Sequence, residues 1–338
     1  MAVLRRRTRA EVADPAAPAD GLICAYRLLP GGGQRLEWPE IRRWQAGDGL
    51  LWVHLNFTER GARRWLQKDS AVPEPIVDAL LVDDGRPRSE RHQDGWLVML
   101  RGVNMNPGAQ AEDMVAIRLW LEPDRVVSTC RRRLQSVAEL RAAIEAGHGP
   151  ATPGELLIAL LQGLTQRLAE AVDRLEDEID AAEAAMLEDS SVELQTQLSS
   201  LRRRCARMRR HLAPQREALE RIVRIGGGCL QQEEIWQIRE LGDRVTRALE
   251  DLELAAERAM VAHEEFVARV AQEQNARIYL LSIVAALFLP LSFLTGLFGM
   301  NVAGLPGLEY PRAFWVVSGL MLALAAGLLA YFRFKRWI

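Results

Sequence analysis

Counting down from residue 299 in alternating threes and fours gives Gly299, Gly296, Ser292, Leu289, Ala285, Ser282, Ile278 and Asn275. On a helix that spacing is one face. The face is mostly small or polar, and its flanks hold Leu280, Leu281, Leu287, Phe288, Phe293 and Leu297. Two uses fit such a face: lining a water-filled path, where hydroxyls cost less than in lipid, or letting helices approach closely. The same steps continue through Ala271, Ala268, Glu264, Val261, Glu257, Leu254 and Glu250. In several copies around an axis these glutamates would stack as carboxylate rings suited to cations. A solvated charged face is the other reading. His263, beside Glu264, could join a cation site there or take up protons near neutral pH.

The elements that must hold this face are long. Ile278–Phe298 and Ala313–Phe332 carry no charge, and each is about 20 residues, enough to cross about 30 Å of hydrocarbon. The loop 299–312 is short, so the two spans predict a hairpin with both ends on one side. The tail holds Arg333, Lys335 and Arg336, whereas the loop has one Arg and one Glu. The positive-inside rule places the tail in the cytoplasm, and the large N-terminal part with it. Helical periodicity beginning near Gln232 shows no stop before residue 298, and a helix of about 65 residues would be about 100 Å long. Part of it must then be a stalk outside the bilayer. Two helices enclose no water path, so a conduit built from this hairpin needs several copies.

The remaining chain reads as a disordered leader over 1–20 with a basic start and no apolar signal core. An α/β domain over 21–150 and long helices with a stalk over 151–277 follow. The spans are then 278–298 and 313–332, and the tail is 333–338. Strands are predicted in LICAYRLL, LLWVHLNF, GWLVMLRGVNM, MVAIRLWLE and RVVSTC, and helices in ERGARRWLQKD and EPIVDALLV. Leu157, Leu161, Leu164, Leu168, Leu175 and Ile179 mark the buried stripe of a helix entered at Pro153. A second helix, basic at its start, runs from about Val192 to Ile225 and stops at three glycines.

The 338 residues carry 43 Lys and Arg against 45 Asp and Glu, a net charge of -2, which argues against a general nucleic-acid binder. None of Cys24, Cys130, Cys205 and Cys229 form a C-x-x-C pair, which favours buried thiols in a reducing compartment. His54, His92, His148, His211 and His263 share no metal-ligand spacing. There is no P-loop, G-x-S-x-G or H-E-x-x-H, so neither an enzyme nor an ATP-driven pump is expected.

Gly299-Met300-Asn301, directly after FLPLSFLTGLF and before a second span and a tail ending RFKRWI, resembles the CorA-type metal-ion transporter superfamily. The resemblance covers essentially the whole chain beyond the leader. Leu305-Pro306-Gly307-Leu308 stands where magnesium and cobalt members typically carry Met-Pro-Glu-Leu. The run Asn301–Gly307 is instead similar to the ZntB zinc-transporter branch, with Ala303 a departure. The resemblance implies an α+β cytoplasmic domain with long helices, continuing into a two-helix transmembrane hairpin and assembled as a homopentameric funnel. It implies a pore lined by the first span and Zn2+ as cargo, in the cell's inner (plasma) membrane. The alternative is a magnesium/cobalt channel gated by intracellular divalent cations, with Mg2+, Co2+ or Ni2+ as cargo. It implies no cofactor, and as partners only further copies of the chain, the lipid bilayer and divalent cations. Carried over by position, Asn301 would ring the outer mouth and hold a cation through its water shell. Gly299 would let the backbone turn, and Met300 would pack the loop. Ser292, Leu289, Ser282 and Asn275 match pore-facing positions. No His, Cys, Asp or Glu lies between Asn275 and Asn301, so no dry tetrahedral metal site is expected in the span.

Overall fold

Apolar, β-branched and aromatic runs between turn residues make strands in the first part of the chain. The computed structural model describes residues 20–29, 32–186, 191–300 and 311–335. Its elements open with β1 (Leu22–Leu29), β2 (Gly32–Arg35), α1 (Trp38–Ile41), β3 (Leu50–Asn56), α2 (Arg60–Lys68) and α3 (Glu74–Leu81). Then come β4 (Arg88–His92), β5 (Gly95–Gly102), β6 (Val115–Leu121), β7 (Arg125–Cys130) and α4 (Gln135–Glu145). The strands form one seven-stranded sheet in the order β2-β1-β3-β7-β6-β5-β4. β3 and β7 pair in parallel, and every other neighbouring pair is antiparallel.

Alternation along β3 sorts the two faces of the sheet. Leu51, Val53 and Leu55 join a core with Trp65 and Leu66 of α2 and Ile76, Val77 and Leu80 of α3. Trp52 points the other way, and its Nε1 donates to Ser128 Oγ at 2.9 Å. On that side the Tyr26 hydroxyl donates to Glu145 Oε1 at the end of α4, at 2.6 Å.

α5 (Pro153–Ala185) starts where Thr152 Oγ1 accepts from Glu155 N at 3.0 Å, with Pro153 in its first turn. Leu157, Leu161, Leu164, Leu168, Leu175 and Ile179 are all buried, so the stripe read from spacing is the packed face. α6 (Val192–Ile225) is capped by Ser191, whose Oγ accepts from Leu194 N at 3.3 Å. It ends at Gly226, Gly227 and Gly228, with φ of 57°, 69° and 71°. Gly226 pairs its φ of 57° with a ψ of -174°, a region essentially closed to L side chains. Arg91 Nη1 donates to Gly226 O at 3.1 Å and Trp96 Nε1 to Gly227 O at 2.9 Å, fastening this turn to β4 and β5. α7 (Gln232–Phe298) then runs for 67 residues and α8 (Ala313–Phe334) for 22.

The chain divides into two compact units, one up to His263 and one from Glu264. The mixed sheet, the long helices and the two apolar C-terminal helices give the α+β architecture expected above. α1, β2, β4 and α4 have no counterpart among the runs read from the sequence. The leader, apart from Asp20, lies outside the described residues.

Gly95 is where β5 meets a buried indole. A Cβ there would lie 2.4 Å from the Trp120 ring and 2.9 Å from Leu121 O, and Trp120 is 2% exposed. Gly95→Ala is expected to destabilise the sheet by about 1–3 kcal/mol. A thermal melt of the purified protein checks this, and an unchanged midpoint would show that Trp120 can give way.

Candidate functional site

α7 is helical from residue 275 to 298, so Asn275, Ile278, Ser282, Ala285, Leu289, Ser292 and Gly296 do fall along one helix face. Their hydroxyl neighbourhood is closed on the helix itself. Ser282 Oγ donates to Ile278 O at 2.9 Å, and Thr295 Oγ1 donates to Ser292 O at 3.0 Å. Such back-bonding satisfies the donor and leaves hydroxyl lone pairs for water or another helix. Pro290 sits inside the helix and has no N–H for the Ala286 carbonyl. Ile278 and Leu289 are 62% and 71% exposed, and on the flanks Leu281 and Phe293 are 68% and 67% exposed. A single copy therefore covers neither face. By length and composition, α7 and α8 can each cross a membrane.

At the end of α7, Gly299 N donates to Thr295 O at 2.9 Å, and Met300 is 45% exposed. Asn301, with the rest of the loop to Tyr310, lies outside the described residues, as does Arg336. Arg333 and Lys335 are exposed where α8 ends.

Nearer its start, α7 buries Leu252, Ala255, Ala259 and Ala262. The opposite residues Glu250, Glu257 and Glu264 are exposed, and Leu254 and Val261 between them are 57% and 46% exposed. Acids and apolar residues thus alternate on an uncovered face. Among the described residues none of these three glutamates has an ion-pair partner. Glu257 shares a groove between α6 and α7 with Arg202, Arg209 and Arg210, which oppose a cation held there by Glu257 alone. His263 is half-buried, and its Nδ1 has no hydrogen-bond partner among the described residues.

The acids of α5 are spent differently. Glu178 pairs with Arg204, and Asp180 with Arg258 at 2.5 Å. Glu183 and Asp180 together raise the already high pKa of Arg258. Burial raises the Glu176 carboxyl, and Asp251 and Asp173 add to it. Among the described residues no group of three or more His, Cys, Asp or Glu is placed to hold a metal ion.

Two histidines belong to the packed interior. His54 is 1% exposed, with Nδ1 2.7 Å from Ser128 Oγ and Nε2 3.3 Å from Cys130 Sγ. Burial pushes His54 down to about 3 and His211 down to about 4. Burial likewise pushes the Cys24 and Cys229 thiols up to about 12, so neither is a thiolate near neutral pH.

With this geometry in hand, known proteins give it context. Residues 47–336 match the family described as CorA-like Mg2+ transporter protein. The chain is 38% identical over 322 residues to the divalent cation transporter CmaX of Pseudomonas aeruginosa, covering 94% of this chain and 97% of that one. It is 32% identical over 287 residues to the zinc transport protein ZntB of Pectobacterium carotovorum, covering 85% and 88%. The solved structure of full-length CmaX superposes with a TM-score of 0.83 at 37% identity, covering 97% of this chain and 100% of that one.

The lowered histidines set an acid limit on stability. Their folded pKa values lie below the ordinary 6.5, so as pH falls through 6.5 the unfolded chain takes up protons first. Stability then falls by roughly 1 kcal/mol per pH unit for the fully buried His54, and by less for His211. Melting temperatures measured between pH 7.5 and 5 should decline below 6.5, and His54→Gln should flatten that decline. An equal slope in His54→Gln would mean that His54 is not the titrating group.

Proposed function

The chain belongs to the CorA-like Mg2+ transporter protein family, and on that premise we propose that it is a zinc transporter working as a homopentamer. It is a divalent cation transporter of that family, and its family is one of transporters rather than enzymes. The observation that carries the finer reading is the face from Asn275 to Gly296, which holds an amide, two hydroxyls, glycine, alanine, Ile278 and Leu289 but no His, Cys, Asp or Glu. Such a wall offers zinc none of the thiolate, imidazole or carboxylate ligands that usually replace its water shell. The ion would therefore cross largely hydrated, and Asn301 would meet it at the outer mouth through its side-chain oxygen. Gly299 and Met300 would shape that mouth. The uncovered Glu250 and Glu264 would face the axis of the assembly and gather cations on the cytoplasmic side, with His263 beside them, while the arginines near Glu257 weaken the pull of that carboxylate.

Zinc is favoured over magnesium by the similarity to zinc transport proteins and by Gly307, which stands where an acid is typical of the magnesium branch. The basic residues Arg333, Lys335 and Arg336 support an orientation with both termini in the cytoplasm. No acid lies within either span, so a proton gradient, if it drives uptake, acts through cytoplasmic groups or the pathway itself.

Purified protein in liposomes is expected to take up zinc with little inhibition by magnesium; faster entry under an imposed proton gradient would mean proton-coupled uptake, and an unchanged rate would mean entry driven by the membrane potential. Exclusion of zinc with entry of magnesium or cobalt would overturn the zinc assignment in favour of a channel gated by intracellular divalent cations. Ser292→Phe is expected to abolish flux while the oligomer still assembles, read by size-exclusion chromatography with light scattering. Retained flux in a well-assembled Ser292→Phe protein would remove this face of α7 from the pathway.

A further inference from the structure

A cavity of about 300 Å³ opens where the turn after α3, the end of β5, the start of β6 and the segment after β7 meet. Arg101, Arg118, Arg131 and Arg132 line it together with Asp83 and Asp84. Asp84 pairs with Arg101 at 2.6 Å, and Asp83 pairs with Arg131. Two guanidinium charges, those of Arg118 and Arg132, are left without a carboxylate in the cavity wall.

Arg118 is the unusual one. It lies within the β6 run VAIRLWL and is 1% exposed. Its Nη2 donates to Asp83 O at 2.6 Å, and its Cζ lies 4.8 Å from the centre of the Phe57 ring. Its Nε and Nη1 have no acceptor among the described residues, and neither has Arg101 Nε. Burying a cation with open donors costs several kcal/mol unless something anionic compensates. Burial accordingly pushes Arg118 down to about 10. A guanidinium suits planar recognition of oxyanions, because its donors lie in a fixed fork.

We propose that this cavity binds a phosphoryl dianion, drawn in by the charge of Arg118 at the inner wall and held by Arg132 at the mouth. Two negative charges balance the two unmatched guanidinium groups. The site uses none of the residues assigned to transport. Arg101 also ties it to the basic helix, since Arg101 N donates to Gln215 Oε1 of α6 at 2.7 Å.

Titration calorimetry on the full-length protein in detergent at pH 7.5 tests this, with sodium phosphate, AMP and sodium chloride at matched ionic strength. A saturable phosphate heat that chloride does not give is expected, with one site per chain. Tighter binding of AMP would assign the phosphoryl group to a larger molecule, and binding of phosphate alone would assign it to the free ion. Arg132→Gln alters an exposed side chain and should weaken phosphate about tenfold, as loss of one charge-assisted hydrogen bond implies. Arg118→Met should abolish binding, and if it does not fold, Arg132→Gln alone decides. No saturable phosphate heat in the parent protein, or an unchanged affinity in Arg132→Gln, overturns the proposal.

Discussion

Hydrocarbon offers a backbone no hydrogen-bond partners, and that constraint orders the C-terminal part of this molecule. A single segment crossing it must pair its N–H and C=O groups internally, which leaves the helix as its solution. Once α7 is a helix through residue 298, only side chains can vary, and their roles follow from the angle at which each leaves the axis. Ser282 and Thr295 fit this rule by returning their hydroxyl protons to the carbonyls of Ile278 and Ser292. Pro290 is the exception, because it withdraws a donor in the middle of the span.

Outside the span, charge is handled by pairing rather than by avoidance. The run of arginines at the start of α6 looks like a basic surface when read as a string. Folded, Glu112 at 2% exposure pairs with Arg207 at 2.5 Å and Arg204 at 3.6 Å, while Arg204 also reaches Glu178 of α5. The loop between β5 and β6 is thereby tied to two long helices. Breaking such a buried pair by removing one partner costs far more than the pair itself contributes, because the remaining charge stays desolvated. The basic run is therefore partly a structural clamp, and its sign alone says little about what the protein attracts.

What could be read from the string and what could not divide along the same physical lines. The leucines of α5 recur at helical spacing and pack where they point, so that helix was plain. The strands with near-continuous apolar sequence, such as β3 and β6, were equally plain. β2 and β4 escaped because they are the two edges of the sheet. Edge strands are short and polar by necessity, and in β4 only Ser89 of RSERH is buried. α4 escaped because its packed side, Ser136, Val137, Leu140 and Ile144, is small and partly polar. The face of α7 was legible because its spacing is local. Arg118 was not: in VAIRLWL it reads as a solvent-facing strand position, and only the fold puts it against Phe57 and Asp83. Asn301, assigned to the outer mouth by resemblance, lies outside the described residues.

The turn of Gly226, Gly227 and Gly228 has a consequence for heredity. Three successive backbones of left-handed sign sit at the surface, where most positions accept almost any residue. Here every replacement by an L-amino acid meets a conformational barrier of about 1–2 kcal/mol before any contact is considered. Missense change at these three codons is thus penalised as if they encoded core, although they carry no chemistry. A lineage therefore inherits the bend between α6 and α7 nearly fixed.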